Sequence, residues 1–251
     1  SDVCSSDLRM AHNPSSLDAL AGLRVNLVLA AAGALQFEEF ALARSLALEA
    51  VQIARTIAAQ EPSNSEYQND LAVSINQLAI AAIMTDDLEL ADRSYTESLQ
   101  IDRRQVATRP SDIRAARHLG VSLQGAGRIA QELQRYDDAK ALFEERVQIL
   151  TKLEDHIEGH PVLMLEVATA HYDVADLAAE QEDLRDQVYW SYRSALLYYR
   201  LALLAGCDRD NYEGFTEVIN ALMHESNLSA THSGNQGSRI FRRYALWGGL
   251  L

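Results

Sequence analysis

From Pro110 to Leu150 the chain reads PSDIRAARHLGVSLQGAGRIAQELQRYDDAKALFEERVQIL, and this stretch can be laid over the residues on either side with no gap. In steps of 48, Pro14, Pro62 and Pro110 align, as do Leu23, Leu71 and Leu119, then Val25, Val73 and Val121, then Ala43, Ala91 and Ala139, and Glu49, Glu97 and Glu145. Val51-Gln52-Ile53, Leu99-Gln100-Ile101 and Val147-Gln148-Ile149 are one motif written three times. A fixed period of this size marks stacked copies of one supersecondary unit, none of which can bury its apolar face alone. A chain of 251 residues, long enough for one or two ordinary domains, is therefore expected to form one elongated array.

Each copy divides into two helical stretches, A and B. In the first, Leu17, Leu20, Leu23 and Leu27 recur at helical spacing behind a Ser15-Ser16 cap. After a turn near Gln36, Glu38 and Glu39 open a helix carrying Phe40, Ala43, Ala47 and Ala54 on one face. The second copy starts A at Pro62-Ser63-Asn64 and B at Asp86-Asp87; the third runs A through Leu119, Leu123 and Ala130 and B from Asp137-Asp138. Acidic starts and basic ends, such as Arg55 and Arg103, Arg104 and Arg109, are expected to suit the helix dipoles.

In the fourth copy the proline falls three residues late, at Pro161, so a longer or rearranged connection from Glu154 to His160 is expected. Its helices are placed at about Val162 to Gln181 and Leu184 to Ala205, with a capping helix from Tyr212 to Asn227. Residues 1–13 are read as a non-native or disordered leader, because SDVCSSDL does not fit the repeat and resembles a translated adapter. Residues 14–227 are read as the repeat domain and 228–251, opening with SATHSGNQGS, as a flexible tail. A chain with such a leader is expected to be a fragment of a larger protein.

The totals exclude several classes. Only 4 Pro and 12 Gly, with 48% hydrophobic residues, favour an all-α fold. A net charge of -14 argues against nucleic acid, whose phosphates would repel such a surface. Cys4 and Cys207 cannot build a disulfide framework, and a reducing, cytoplasmic setting is expected. No uninterrupted apolar run approaches the ~18 residues of a membrane span, the longest being Leu27 to Leu35, so no membrane partner is expected.

Leu119-Gly120, Leu123, Ala139, Phe143 and His160-Pro161 carry a resemblance to the tetratricopeptide repeat, which has a Leu-Gly pair, an aromatic, an Ala, a second aromatic and a Pro in about 34 residues. The second copy has Leu71-Ala72, Ile75, Ala91 and Tyr95; the first has Ala47 in place of the aromatic; the fourth has Gln187 in place of Ala. The family's early Trp is missing throughout. The longer period is consistent with one extra heptad in each helix, which presents nearly the same face after almost two turns. The resemblance implies a right-handed superhelical solenoid of four long antiparallel helix pairs plus a C-terminal capping helix. It also implies a concave groove, lined by the A helices, that holds a peptide or protein partner.

On that reading the groove residues are Asn69, Asn76 and Gln77 in the second copy, Arg114, Arg117 and Gln124 in the third, and Tyr172 and Asp173 in the fourth. Amides can pair with a peptide backbone and Arg with a carboxylate. The expected function is a non-enzymatic scaffold or adaptor, without cofactor; the alternative is a peptide- or ligand-sensing domain of a bacterial regulator. His156 and His160 share a spacing that Zn accepts, but Gly159 and Pro161 break the helix it needs, so no metal site is expected. His171 falls at the register of Leu27, Ile75 and Leu123 and is read as a core or groove histidine. Gly125-Ala126-Gly127 has neither the preceding strand nor the following Lys of a phosphate loop, and is read as allowing close helix approach. The aromatic cluster Tyr189, Trp190, Tyr192, Tyr198 and Tyr199 is read as packing against the capping helix.

Overall fold

The computed structural model describes residues 17–153 and 161–180, with Ala195. The leader, the second helix of the fourth copy apart from Ala195, the capping helix, the aromatic cluster, His156, His160 and the tail all lie outside the described residues. Every described element is an α-helix: α1 Leu17–Gln36, α2 Phe40–Gln60, α3 Ser65–Met84, α4 Leu88–Thr108, α5 Ile113–Glu132, α6 Tyr136–Thr151 and α7 Pro161–Glu180. The bounds themselves repeat in steps of 48, with A helices opening at 17, 65, 113 and 161 and B helices at 40, 88 and 136. The fold is all-α, built from repeated helix pairs.

Pro161 is the first residue of α7 and falls on the repeat register, 48 residues after Ile113. α6 ends at Thr151, earlier in the register than α2 and α4, so the stretch between it and α7 is longer than those after Gln60 and Thr108 although α7 itself opens on register. Pro62 and Pro110 precede their helices by three residues, whereas Pro161 has moved to the first helical position, where its missing N–H and fixed φ cost nothing.

The turns inside the pairs show why the period is so strict. Glu38, Asp86 and Gln134, each 48 apart, adopt φ of 60°, 60° and 58°. At each, the left-handed residue donates to the carbonyl three back and its successor to the carbonyl five back: Glu38 to Leu35 and Glu39 to Ala34, Asp86 to Ile83 and Asp87 to Ala82, Gln134 to Gln131 and Arg135 to Ala130, at 2.8–3.1 Å. This is the Schellman closure, made without its usual Gly. Glu38 and Asp86, expected to open helices, instead end the preceding ones.

Caps then start the next helices. Asn64 Oδ1 accepts from the backbone N–H groups of Glu66 and Tyr67, Asp87 Oδ1 from Leu90, and Asp112 Oδ1 from Ala115. None of α2 to α7 has a basic residue in its last turn. Two of the arginines expected there make side-chain bridges instead, Arg55 to Glu97 at 2.7 Å and Arg109 to Asp112 at 2.9 Å, and Arg44, early in α2, pairs with Asp87 at 2.6 Å. A carboxylate partner outcompetes the diffuse helix-end charge when it lies within reach.

The chain divides into two compact units, Ser1–Ile129 and Ala130–Leu251. In the first, α1 packs on α2, α2 on α3, α3 on α4, and α1 also meets α3. Its core joins Ala31, Leu35, Ala43, Ala47, Val51 and Ala54 with Leu71, Ile75, Leu78 and Ile101. Ala43, Ala47 and Ala91 are fully buried; the small side chains let helix axes approach closely, and a larger one would overpack. In the second unit α6 packs on α7, and Phe143 and Ala139 meet Val174 and Leu177.

Candidate functional site

The A helices carry the expected groove residues at equivalent positions. On α3, Asn69, Val73, Asn76, Gln77 and Ile80 recur at three- and four-residue steps and so share a face. On α5 the same face presents Arg114, Arg117, Val121, Gln124 and Arg128. Asn69 corresponds to Arg117 and Asn76 to Gln124, one period apart.

Burial separates the two rows. Asn69, Asn76 and Gln77 retain only 5–7% of their exposure, because α3 is enclosed on almost every side. Arg114 is exposed, and Arg117 and Gln124 are half-buried. In the second unit, Tyr172 and Asp173 are buried, and the Asp173 carboxylate accepts from Arg146 on α6. Arg146 also donates to Thr169 Oγ1 at 3.0 Å. A buried charge pair of this kind is costly to break from one side, so Asp173 serves the α6–α7 interface. His171 beside it is half-buried.

Asn76 leads into a polar cluster that the sequence reading missed. Its Nδ2 donates to Ser122 Oγ at 2.8 Å, joining α3 to α5. Ser122 Oγ donates to Asp102 Oδ2 at 2.6 Å, and Ser98 Oγ lies 2.7 Å from Ser122 Oγ. Ser122 donates its one proton to the carboxylate and accepts from Asn76, while the Ser98 hydroxyl lies within reach of both Ser122 and, at 3.5 Å, Asp102 Oδ2. Asp102 is 1% exposed and has no cation among its partners, and the second carboxylate oxygen makes no hydrogen bond. Burial pushes its pKa from the ordinary 3.8 to about 6, against the opposing pull of Ser122 and Ser98.

A signal for this cluster was present in the register. The position of Ser98 is Ala50 in the first copy and Arg146 in the third; that of Asp102 is Ala54 and Leu150. At the Asp102 position the other two copies are apolar, and a carboxylate there marks a buried contact special to the second copy.

Gly125, at the register of Gln77 and Asp173, fits the expected close approach. A β-carbon there would overlap the ring of Tyr95, which lies 4% exposed on α4. Arg24 takes the register of Ala72, Gly120 and Ala168 on α1 and pairs with Asp70 of α3 at 2.8 Å. Burial raises the Asp70 pKa, with Arg24 opposing it.

By length and composition α1 can also cross a membrane, with a mean hydropathy of 1.4 over 18 residues. This differs from the expectation that no run suffices, since an average tolerates Asp18 and Arg24 where an uninterrupted count does not. Arg24 at its middle is buried against Asp70, and α1 packs on α2 and α3. Among the described residues, no three His, Cys, Asp or Glu side chains converge to hold a metal.

No protein-family model and no curated protein matches the chain. Among solved structures it is similar to the crystal structure of BtubC (BKLC) from P. vanneervenii, with a TM-score of 0.56 and 14% identity over 92% of this chain and 91% of that one. At that identity the likeness concerns the fold, and it extends over nearly the whole of both chains.

Proposed function

We propose that the chain is a long-period tetratricopeptide-type array acting as a scaffold or adaptor that binds a protein or peptide in the cytoplasm. The observation that carries this reading is the row Arg114, Arg117 and Gln124 on one face of α5, the most accessible of the expected groove residues. Two guanidinium groups a turn apart suit a peptide carboxylate, and the Gln124 amide suits a peptide backbone. The buried members, Asn69, Asn76 and Gln77, then support the row from behind, Asn76 by tying α3 to α5 through Ser122.

The test is selection from a displayed peptide library on the purified protein, repeated with Arg114→Ala and Arg117→Ala combined. Enrichment of carboxylate-bearing peptides that vanishes in the double variant supports the reading, with circular dichroism confirming that the variant folds. An unchanged enriched set would show that binding does not use this face.

A further inference from the structure

Two carboxylates among the described residues are buried almost completely, Asp102 at 1% and Asp173 at 3% exposed. Asp173 is matched by the Arg146 guanidinium, and the half-buried Asp70 by Arg24 at 2.8 Å. Asp102 has two serine hydroxyls and no cation. The register sharpens the contrast: Arg146 stands one period after Ser98, so the third copy carries a guanidinium on its B helix where the second carries a hydroxyl. A buried carboxylate either finds a positive partner or gives up its charge.

Around Asp102, acceptors outnumber donors. Ser122 Oγ sends its one proton to Asp102 Oδ2 at 2.6 Å, which makes it the acceptor of Asn76 Nδ2 at 2.8 Å. That fixes the amide: its nitrogen faces Ser122, and Oδ1 is left as an acceptor. Asn76 Oδ1 and Asp102 Oδ1 are both buried, both belong to side chains held by the same hydroxyl, and neither has a hydrogen-bond partner. Ser98 Oγ, 2.7 Å from Ser122 Oγ and 3.5 Å from Asp102 Oδ2, completes a set of oxygens drawn from α3, α4 and α5, all within the first compact unit. A buried negative charge beside acceptors that lack donors attracts a cation and repels an anion.

The donor atoms restrict the ion. All are hard oxygens, with none of the sulfur or imidazole ligands that select transition metals. One carboxylate balances one positive charge, whereas a divalent ion would leave a net charge buried at high cost. Hydroxyl and amide oxygens replace the hydration shell of an alkali ion, and oxygens 2.6–3.5 Å apart leave room only for a small one.

We infer that Asp102, with the Ser98 hydroxyl and the Asn76 carbonyl oxygen, binds a sodium ion between α3, α4 and α5, supplying the second copy with the positive partner that Arg146 supplies in the third. The ion ties the second repeat to the third. In a sodium-free buffer the carboxylate keeps the whole cost of its burial.

Thermal unfolding of the full chain at pH 8 tests this, with NaCl raised from 1 to 300 mM and choline chloride holding the ionic strength constant, so that general screening is the same throughout. For a Kd of about 50 mM, the wild-type Tm is expected to rise by roughly 2–4 °C. Asp102→Asn keeps the shape without the charge and is expected to abolish the rise; Ser98→Ala, which removes one ligand and leaves the carboxylate, is expected to reduce it. Circular dichroism at low sodium checks that both variants fold. Sodium-23 line broadening by the wild-type protein that is lost in Asp102→Asn reports the ion directly. A wild-type Tm that does not respond to sodium, a rise of equal size in Asp102→Asn, or an equal rise with caesium chloride overturns the inference.

Discussion

Replacing Asp102 with Asn should remove a pH-dependent penalty from the second and third repeats. The carboxyl is buried among Ser98 and Ser122 with no cation, and its pKa rises from 3.8 to about 6. Between those values the folded chain keeps a proton that the unfolded chain has released, so stability falls as pH rises through the window. Above about pH 6 the full penalty is present. At about 1.4 kcal/mol per pH unit, the displacement corresponds to about 3 kcal/mol. Asn keeps the shape and still hydrogen-bonds Ser122, but carries no charge. Urea unfolding of both proteins from pH 4 to pH 8, read as the difference between them, isolates this group from the other carboxylates. The variant should gain on the wild type by about 2 kcal/mol between pH 4 and pH 7 and then level off. A difference that is flat across the window, or that grows in the opposite direction, would refute the reasoning and imply that Asp102 is solvated or paired.

Gly125→Ala should destabilise by about 1–3 kcal/mol despite its better helix propensity, because the new methyl overlaps the Tyr95 ring. The same change in a Tyr95→Leu background should be neutral or stabilising, and denaturant midpoints of the four proteins in this cycle measure the coupling. Glu38→Gly, Asp86→Gly and Gln134→Gly should each stabilise by up to about 1 kcal/mol, since each position holds φ near 60°. Thermal melts of the three variants check this; a loss at any of them would mean that its side chain contributes more than the backbone strain costs.

The helical class, the period and the pairing of helices were all legible in the sequence. Hydrophobic spacing repeats at 3.6 residues within each helix and at 48 along the chain, and periodic burial leaves that trace whatever the partner. The small residues at Ala43, Ala91 and Ala139 and the cap at Asn64 were likewise legible, because a close approach and a helix start each demand a narrow set of side chains. The left-handed turns were not, since Glu, Asp and Gln occupy sites where Gly would have signalled them. That Pro161 comes late was legible, but not that it opens the helix itself, because a proline fits either before a helix or at its first position.

Of the candidate face, the sequence by itself determined which positions share a side of each A helix, a consequence of helical geometry alone. Only the tertiary structure decided which of those positions remain accessible. Asn69, Asn76 and Gln77 are enclosed while Arg114 is exposed, at equivalent or neighbouring register positions. It also decided that Asp173 is committed to Arg146 and that Asp102 joins Ser98, Ser122 and Asn76. These contacts link residues 20 to 46 positions apart. A periodic pattern specifies how each helix is oriented, but which polar groups meet between helices depends on distances of a few ångströms that arise only when the helices pack.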